Sequence, residues 1–176
     1  MFEDKQLINN LKNGDRAALC RIYQKYGDCL LAMAVGILRD QGLAEDVLHD
    51  VFLVFVQNID NFLLTGKLKS YLARCVANRA IDLLRSKNNQ AVGLDRVNPV
   101  KAETDLPHQT AEKREDIKKL DEALNQLPIE QRQVIMMHIH GRMAYRQIAL
   151  CQGVSINTIQ GRYRYGMKKL KTLLLG

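Results

Sequence analysis

With 176 residues, a hydrophobic fraction of 47% and a formal net charge of +7, the chain can bury one core or two small helical ones, and it calls for a polyanionic partner without saying which. Its longest apolar runs are broken by Gly, Arg or Asp well before membrane-spanning length, which excludes an inserted segment. Cys20, Cys29, Cys75 and Cys151 are scattered in apolar contexts with no Cys-x-x-Cys pair, a usage that excludes a disulfide framework and reads as buried free thiols in a reducing cytoplasm.

Phe2 to Leu11 reads as a short amphipathic helix closed by the Asn13-Gly14 turn. Asp15 can cap a second helix in which Ala18, Leu19, Ile22, Tyr23, Tyr26, Leu30, Ala34, Ile37 and Leu38 return to one face, weakened at Gly27 and Gly36 and ended by Gln41-Gly42. A third helix, from about Leu43 to Ile59, buries Val47, Val51, Phe52, Val54, Phe55 and Ile59. Its other side carries Glu45, Asp46 and Asp50, with Asp60 beyond, in a stretch without Lys or Arg between Arg39 and Lys67. Such a face is either merely solvated or a docking surface for a basic partner. After the loop Asn61 to Lys67, a fourth helix from about Lys69 to Ser86 turns Leu72, Val76, Ala80, Ile81 and Leu84 inward and Lys69, Arg74, Arg79, Arg85 and Lys87 outward. Phe62 and Tyr71 beside this cationic face could stack on single-stranded bases or could be core; spacing leaves both readings open.

Periodicity is lost between Asn88 and Gln109, where Gly93, Pro99 and Pro107 mark an extended linker, so that two domains either move independently or are clamped together by another protein. A helix from about Thr110 to Gln126, with Ile117, Leu120, Ala123 and Leu124 inward, opens the second domain, and Pro128 starts the next helix, Ile129 to Ile139. His138 and His140, two apart, point to different sides, as packing residues and not metal ligands do. From Tyr145 to Cys151 runs the first helix of a helix-turn-helix, turned at Gly153 and followed by a second helix capped by Ser155, whose hydroxyl can accept from the N–H of Asn157 or Thr158. Ile159, Tyr163, Met167 and Leu170 form its inward face. Outward stand Asn157, Thr158, Gln160, Gly161, Arg164, Tyr165 and Lys168, donors and cations around a glycine that permits close approach, the equipment for reading base edges and gripping phosphates. No Asp or Glu follows Glu130, while Arg132, Arg142, Arg146, Arg162, Arg164, Lys168, Lys169 and Lys171 all do. That concentration of charge favours nucleic acid.

No Gly-rich phosphate loop and no patterned nucleophile or metal set is present, so neither an enzyme active site nor a cofactor is expected. The strings AEDVLHDVF (Ala44 to Phe52), NRAIDLLR (Asn78 to Arg85), LPIEQRQVI (Leu127 to Ile135) and MAYRQIALCQGVSINTIQGR (Met143 to Arg162), in this order and interrupted by a linker, resemble the small two-domain extracytoplasmic-function sigma factors of the bacterial sigma-70 family. The resemblance spans about Leu7 to Leu173. It implies an all-α fold of two helical domains, 1–87 and 110–176, joined by a flexible linker over 88–109, the second being a helix-turn-helix domain. It implies a dissociable specificity subunit that binds core RNA polymerase and promoter DNA, helps open the duplex, and has an anti-sigma factor as a further partner. Asp46, Leu48, His49, Asp50 and Phe52 would meet polymerase. Asn61, Lys67, Tyr71, Asn78, Arg79, Asp82 and Arg85 would meet the minus-ten element, and Asn157, Thr158, Gln160, Gly161, Arg164, Tyr165 and Lys168 the minus-thirty-five element. Tyr71 stands where the family often has Trp, Ala144 and Gln147 replace the usual Ser and Glu of a capping box, and Tyr165-Gly166-Met167 replaces a common Arg-Ala-Arg. The competing reading is a free-standing helix-turn-helix regulator that works without polymerase.

Overall fold

The computed structural model describes residues 2–90 and 111–175, with the side chains of 87–90 and 111–114 left aside; the expected linker lies mostly outside the described residues. Within them every regular element is helical: α1 (Phe2–Lys12), α2 (Arg16–Leu38), α3 (Gln41–Gln57), a single 3-10 turn (Ile59–Asn61), α4 (Leu68–Gln90), α5 (Ala111–Asn125), α6 (Ile129–Ile139), α7 (Tyr145–Gln152) and α8 (Ile156–Leu175).

Capping chemistry sets most of the boundaries. The Asp15 carboxylate accepts from the N–H of Ala17 and starts α2, which then runs unbroken through Gly27, covered by the Tyr23 ring of the same helix, and Gly36, covered by Met136. The expected stop at Gln41-Gly42 is wrong by three residues. α2 ends at Leu38, Arg39 takes the left-handed conformation at φ 59°, and its N–H returns to the carbonyl of Val35. Asp40 then accepts from the N–H of Leu43 at 2.9 Å, so Gln41 and Gly42 become the first turn of α3.

The first four helices enclose one core, with α2 at its centre: Ile22, Leu30, Met33 and Ile37 of α2, Val47 and Leu48 of α3, and Leu68, Leu72 and Val76 of α4 are all buried. Val54, expected inside, is exposed, as is Leu53. Ile117 and Leu120 of α5, also expected inside, are exposed as well; only Ala123 of that apolar set is fully covered, since α5 packs chiefly on α8. Among the cysteines Cys151 is buried, Cys29 and Cys75 are half-buried, and Cys20, on the outer side of α2, is exposed, contrary to expectation.

The two halves do not stand apart. α6 packs on α2 and α7 packs on α4, so Val134, Met136, Met137, Met143 and Ile148 join the core built by the first four helices. Close approach depends on glycine: a Cβ on Gly36 would strike Met136, and one on Gly141 would lie 2.6 Å from the carbonyl oxygen of Met137 and 2.7 Å from the sulfur of Met33. Arg132, only 3% exposed, donates from Nε to the carbonyl of Gly36 at 2.8 Å. That carbonyl belongs to the last turn of α2, where backbone acceptors lack helical partners and a cation is favoured. Burial, with Arg39 nearby, lowers the Arg132 guanidinium to about 10. In this arrangement the two halves pack on one another through α2–α6 and α4–α7.

Candidate nucleic-acid interface

α8 is built to show one face and hide the other. Gly153, at φ 69°, ends α7 in the left-handed conformation, and the N–H of Val154 reaches back to the carbonyl of Ala149. Ser155 then accepts from the N–H of Thr158 at 3.1 Å, which decides between the two acceptor geometries open to it. From that cap Ile159 and Leu170 are buried and Tyr163 and Met167 half-buried against α6 and α7. Gly166 is buried where α8 crosses α6; a Cβ there would meet Ile135 Cδ1 at 2.9 Å and Gln131 Cβ at 3.1 Å. Asn157, Thr158, Gln160, Arg164, Tyr165 and Lys168 are all exposed, with Gly161 half-buried among them and open space where its Cβ would stand. The Arg164 guanidinium lies 5.1 Å from the centre of the Tyr165 ring.

The helix-turn-helix is held from within by two devices. His138 is wedged between the rings of Tyr145 and Tyr163, at 4.6 and 5.0 Å, with Nδ1 2.8 Å from the carbonyl oxygen of Met143. Both His138 and His140 are half-buried packing residues. Arg162 turns away from the open stripe and donates to Gln152, which donates in turn to Gln133 of α6. Spacing within one helix carries no sign of this chain, because its members come from three. At the start of α7 only half of a capping box forms: Ala144 offers no acceptor, but its own N–H donates to Gln147 Oε1 at 3.0 Å.

The outer side of α4 shows Asn78, Arg79, Asp82 and Arg85 to solvent, and the adjoining loop shows Asn61 and Lys67. Tyr71 is half-buried instead. Its ring packs on Phe62 at 4.7 Å, and Phe55 lies within 5.2 Å of Phe62, so the two aromatics left open by spacing belong to a cluster. Burial raises the Tyr71 phenol, with the neighbouring Cys75 thiol adding to the effect. The loop, Ser70, Tyr71 and Arg74 line a hollow of about 140 Å³, closed on one side by Gln147 of α7.

On α3 the expected surface divides. Asp46 and His49 are exposed and Asp50 is half-exposed, whereas Leu48 and Phe52 are buried, Phe52 against the Tyr23 ring at 5.0 Å. In this arrangement the last two support the acidic face and do not form it. Asp50 is also engaged already, by Arg79 Nη2 at 3.1 Å. An exposed pair of this kind contributes about 0–1 kcal/mol, so a competing partner can separate it. Among the described residues no cluster of three potential metal ligands occurs, and no helix is long and apolar enough to cross a membrane.

Comparison with known proteins follows this division. The family model "Sigma-70 region 2" matches residues 22–90 and "Sigma-70, region 4" matches residues 117–170. The chain is 24% identical to the ECF RNA polymerase sigma factor SigW of Bacillus subtilis, over 97% of this chain and 96% of that one. It is also 24% identical to the ECF RNA polymerase sigma factor SigK of Mycobacterium bovis, over 96% and 91%. Among solved structures it resembles the sigma factor RpoE of Bartonella quintana, bound there to the anti-sigma factor NepR, with a TM-score of 0.71, 22% identity and coverage of 88% and 94%. CnrH in complex with the cytosolic domain of CnrY gives a TM-score of 0.64 at 21% identity, over 98% and 97%.

Proposed function

The chain belongs to the sigma-70 family and is an RNA polymerase sigma factor that binds core RNA polymerase and promoter DNA, and on that premise we propose how its surfaces divide the work. Residues 1–87 form the unit that docks on polymerase and meets the minus-ten element, and residues 110–176 form the unit that meets the minus-thirty-five element. The observation that carries the second assignment is the exposed stripe of α8, free of acids and opposed by a face locked into the helix-turn-helix. Gln160 and Arg164, near the start of α8, read base edges; Lys168, further along, attracts phosphate. The exposed row Asn78, Arg79, Asp82 and Arg85, with Asn61 and Lys67, faces the minus-ten strand, and the loop hollow is of a size for one unstacked ring. Asp46, His49 and Asp50 meet a basic surface of polymerase, to which Asp50 comes by exchanging its Arg79 partner.

That exchange couples the two surfaces, because a carboxylate drawn to polymerase releases a guanidinium beside the DNA row. On this reading the chain performs no catalytic step of its own and works in the cytoplasm, as suggested by analogy with CnrH, solved with the cytosolic domain of CnrY. An anti-sigma factor is the antagonist that the neighbours RpoE and CnrH suggest by analogy.

The test is reconstitution with core polymerase. Asp46→Lys and Asp50→Lys should leave the thermal melt nearly unchanged and weaken polymerase pull-down, since reversal places like charges in the interface. Arg164→Ala should cost about 1–3 kcal/mol on the cognate promoter and relax one position of the minus-thirty-five element. Wild-type polymerase binding by both reversals, together with promoter binding as tight and selective without polymerase, would transfer the protein to the free-standing regulators.

A further inference from the structure

Arg162 stands on the DNA-facing helix between Gln160 and Arg164, two residues from each, and by composition it belongs to the same basic tail. At 100° per residue, two positions along a helix turn a side chain about 200°, so Arg162 points away from Gln160 and Arg164, at the edge of the stripe nearest Thr158 and Tyr165. It is half-buried, and its Nη1 donates to Gln152 Oε1 at 2.7 Å. Gln152 is the last residue of α7, immediately before Gly153. Its Nε2 donates to Oε1 of Gln133 at 3.0 Å, and Gln133 is 8% exposed on α6.

The polarity of this chain of hydrogen bonds is dictated by its first member. A guanidinium can only donate, so the Gln152 carbonyl must face it, which turns the Gln152 amide nitrogen toward Gln133 and requires an acceptor there. Three helices are thus tied by one directional network at the corner where α7 gives way to α8. Partly buried networks of this kind hold one geometry when complete and lose it when any member is removed.

We propose that Arg162 is a positioning residue for minus-thirty-five recognition, one that sets the angle of α8 on α7 and α6 through Gln152 and Gln133 and makes no phosphate contact. The proposal rests on the reading of α8 as the minus-thirty-five helix. Selectivity in the major groove depends on where several short side chains meet base edges at once, so a small rotation of α8 degrades discrimination. Attraction to the backbone, which depends on charge and little on angle, is largely retained.

The experiment uses holoenzyme reconstituted from core polymerase and the full chain. It measures binding to a promoter duplex and to the same duplex with a scrambled minus-thirty-five element, across a salt series. Arg162→Ala should lower the ratio of the two affinities about tenfold while leaving the slope of log affinity against log salt as in wild type; Lys168→Ala should leave the ratio and reduce the slope by about 1. Arg162→Lys keeps the charge but not the planar reach to Gln152, so it should lose the ratio too. Gln152→Ala should match Arg162→Ala, and the double substitution should be no worse than either alone. A slope reduced by about 0.9, with both duplexes weakened equally, would make Arg162 a phosphate contact and overturn the proposal, as would retention of the full ratio by Arg162→Lys or additive losses in the double variant. Should Arg162→Ala melt below the assay temperature, Arg162→Lys and Gln152→Ala carry the same comparison. If Arg164→Ala also leaves the ratio untouched, the assignment of α8 to the minus-thirty-five element fails by itself, whatever Arg162 does.

Discussion

At Asp4 a carboxylate in α1 is 5% exposed, accepting from the Tyr26 hydroxyl at 2.7 Å and from Lys25 Nζ at 2.9 Å. Burial alone would raise this carboxyl, but the hydrogen bonds from Tyr26 and Lys25 outweigh it and hold the group below its ordinary value of 3.8. Burial and the same carboxylate push the Tyr26 phenol up to about 12. A folded-state carboxyl held below its unfolded value stabilises the fold above that value, and the contribution is lost as pH falls through the folded value. Acid melts should therefore show a loss of stability below about pH 3.8 that Asp4→Asn abolishes, while the substitution itself costs about 1–3 kcal/mol at neutral pH. A variant whose melting temperature follows wild type through the acid range would exclude Asp4 as the source. Nothing in the spacing of MFEDKQLINN points to this role; Asp4 reads there as one more charge on a helix.

Among the elements, α8 sorts its two glycines by what lies over them. Gly166 sits where α8 crosses α6, with Ile135 and Gln131 against it, so Gly166→Val should destabilise by about 1–3 kcal/mol through overpacking. Gly161 faces open space, so Gly161→Ala should stabilise the isolated protein by up to about 1 kcal/mol through helix propensity. The same methyl then stands on the surface proposed to face DNA, and promoter binding should fall as the melt rises. Parallel changes in melting and binding for both variants would show that the two faces of α8 are wrongly assigned. The boundary between α2 and α3 depends in a similar way on one side chain: Asp40→Ala removes the acceptor for Leu43 and should cost about 0.5–2 kcal/mol.

For the whole molecule, the packing of α6 on α2 and of α7 on α4 sets a limit on function. α4, α7 and α8 are successive neighbours, so the faces of α4 and α8 lie within a few helix diameters, roughly 20–30 Å. The two promoter elements, about 25 positions apart by their names, are separated by roughly 80 Å of duplex at about 3.4 Å per base pair. If those faces meet the two elements as proposed, the arrangement that closes the Arg132–Gly36 contact cannot occupy both, and the halves are expected to part when the holoenzyme engages a promoter. Gly36→Val and Arg132→Ala should shift the free protein toward separation, read as a longer distance between labels at Gln57 and Lys171, with helicity retained. An unchanged distance distribution in both variants would mean that these residues do not hold the halves together.

The sequence by itself determined which segments are helical, the turn at Gly153, the cap at Ser155, the inward stripe of α8 and its outward chemistry. It could do so because each follows from the preferences of neighbouring residues and a 3.6-residue period. The tertiary structure alone decided what lies between helices. Leu48 and Phe52 went inside because α2 and α4 cover both flanks of α3, and Arg162 was drawn inward because Gln152 waits at the end of α7. Tyr71 and Phe62 resolved into a cluster because Phe55 stands beside them. The consecutive residues Arg132 to Met137 are all buried, without the alternation that marks one buried side, because α6 is covered by α8 and α7 within its own half and by α2 from the other. Periodicity reports one face meeting one core. It carries no record of a second surface arriving from residues a hundred positions away, and that is where the closed packing of this sigma factor arises.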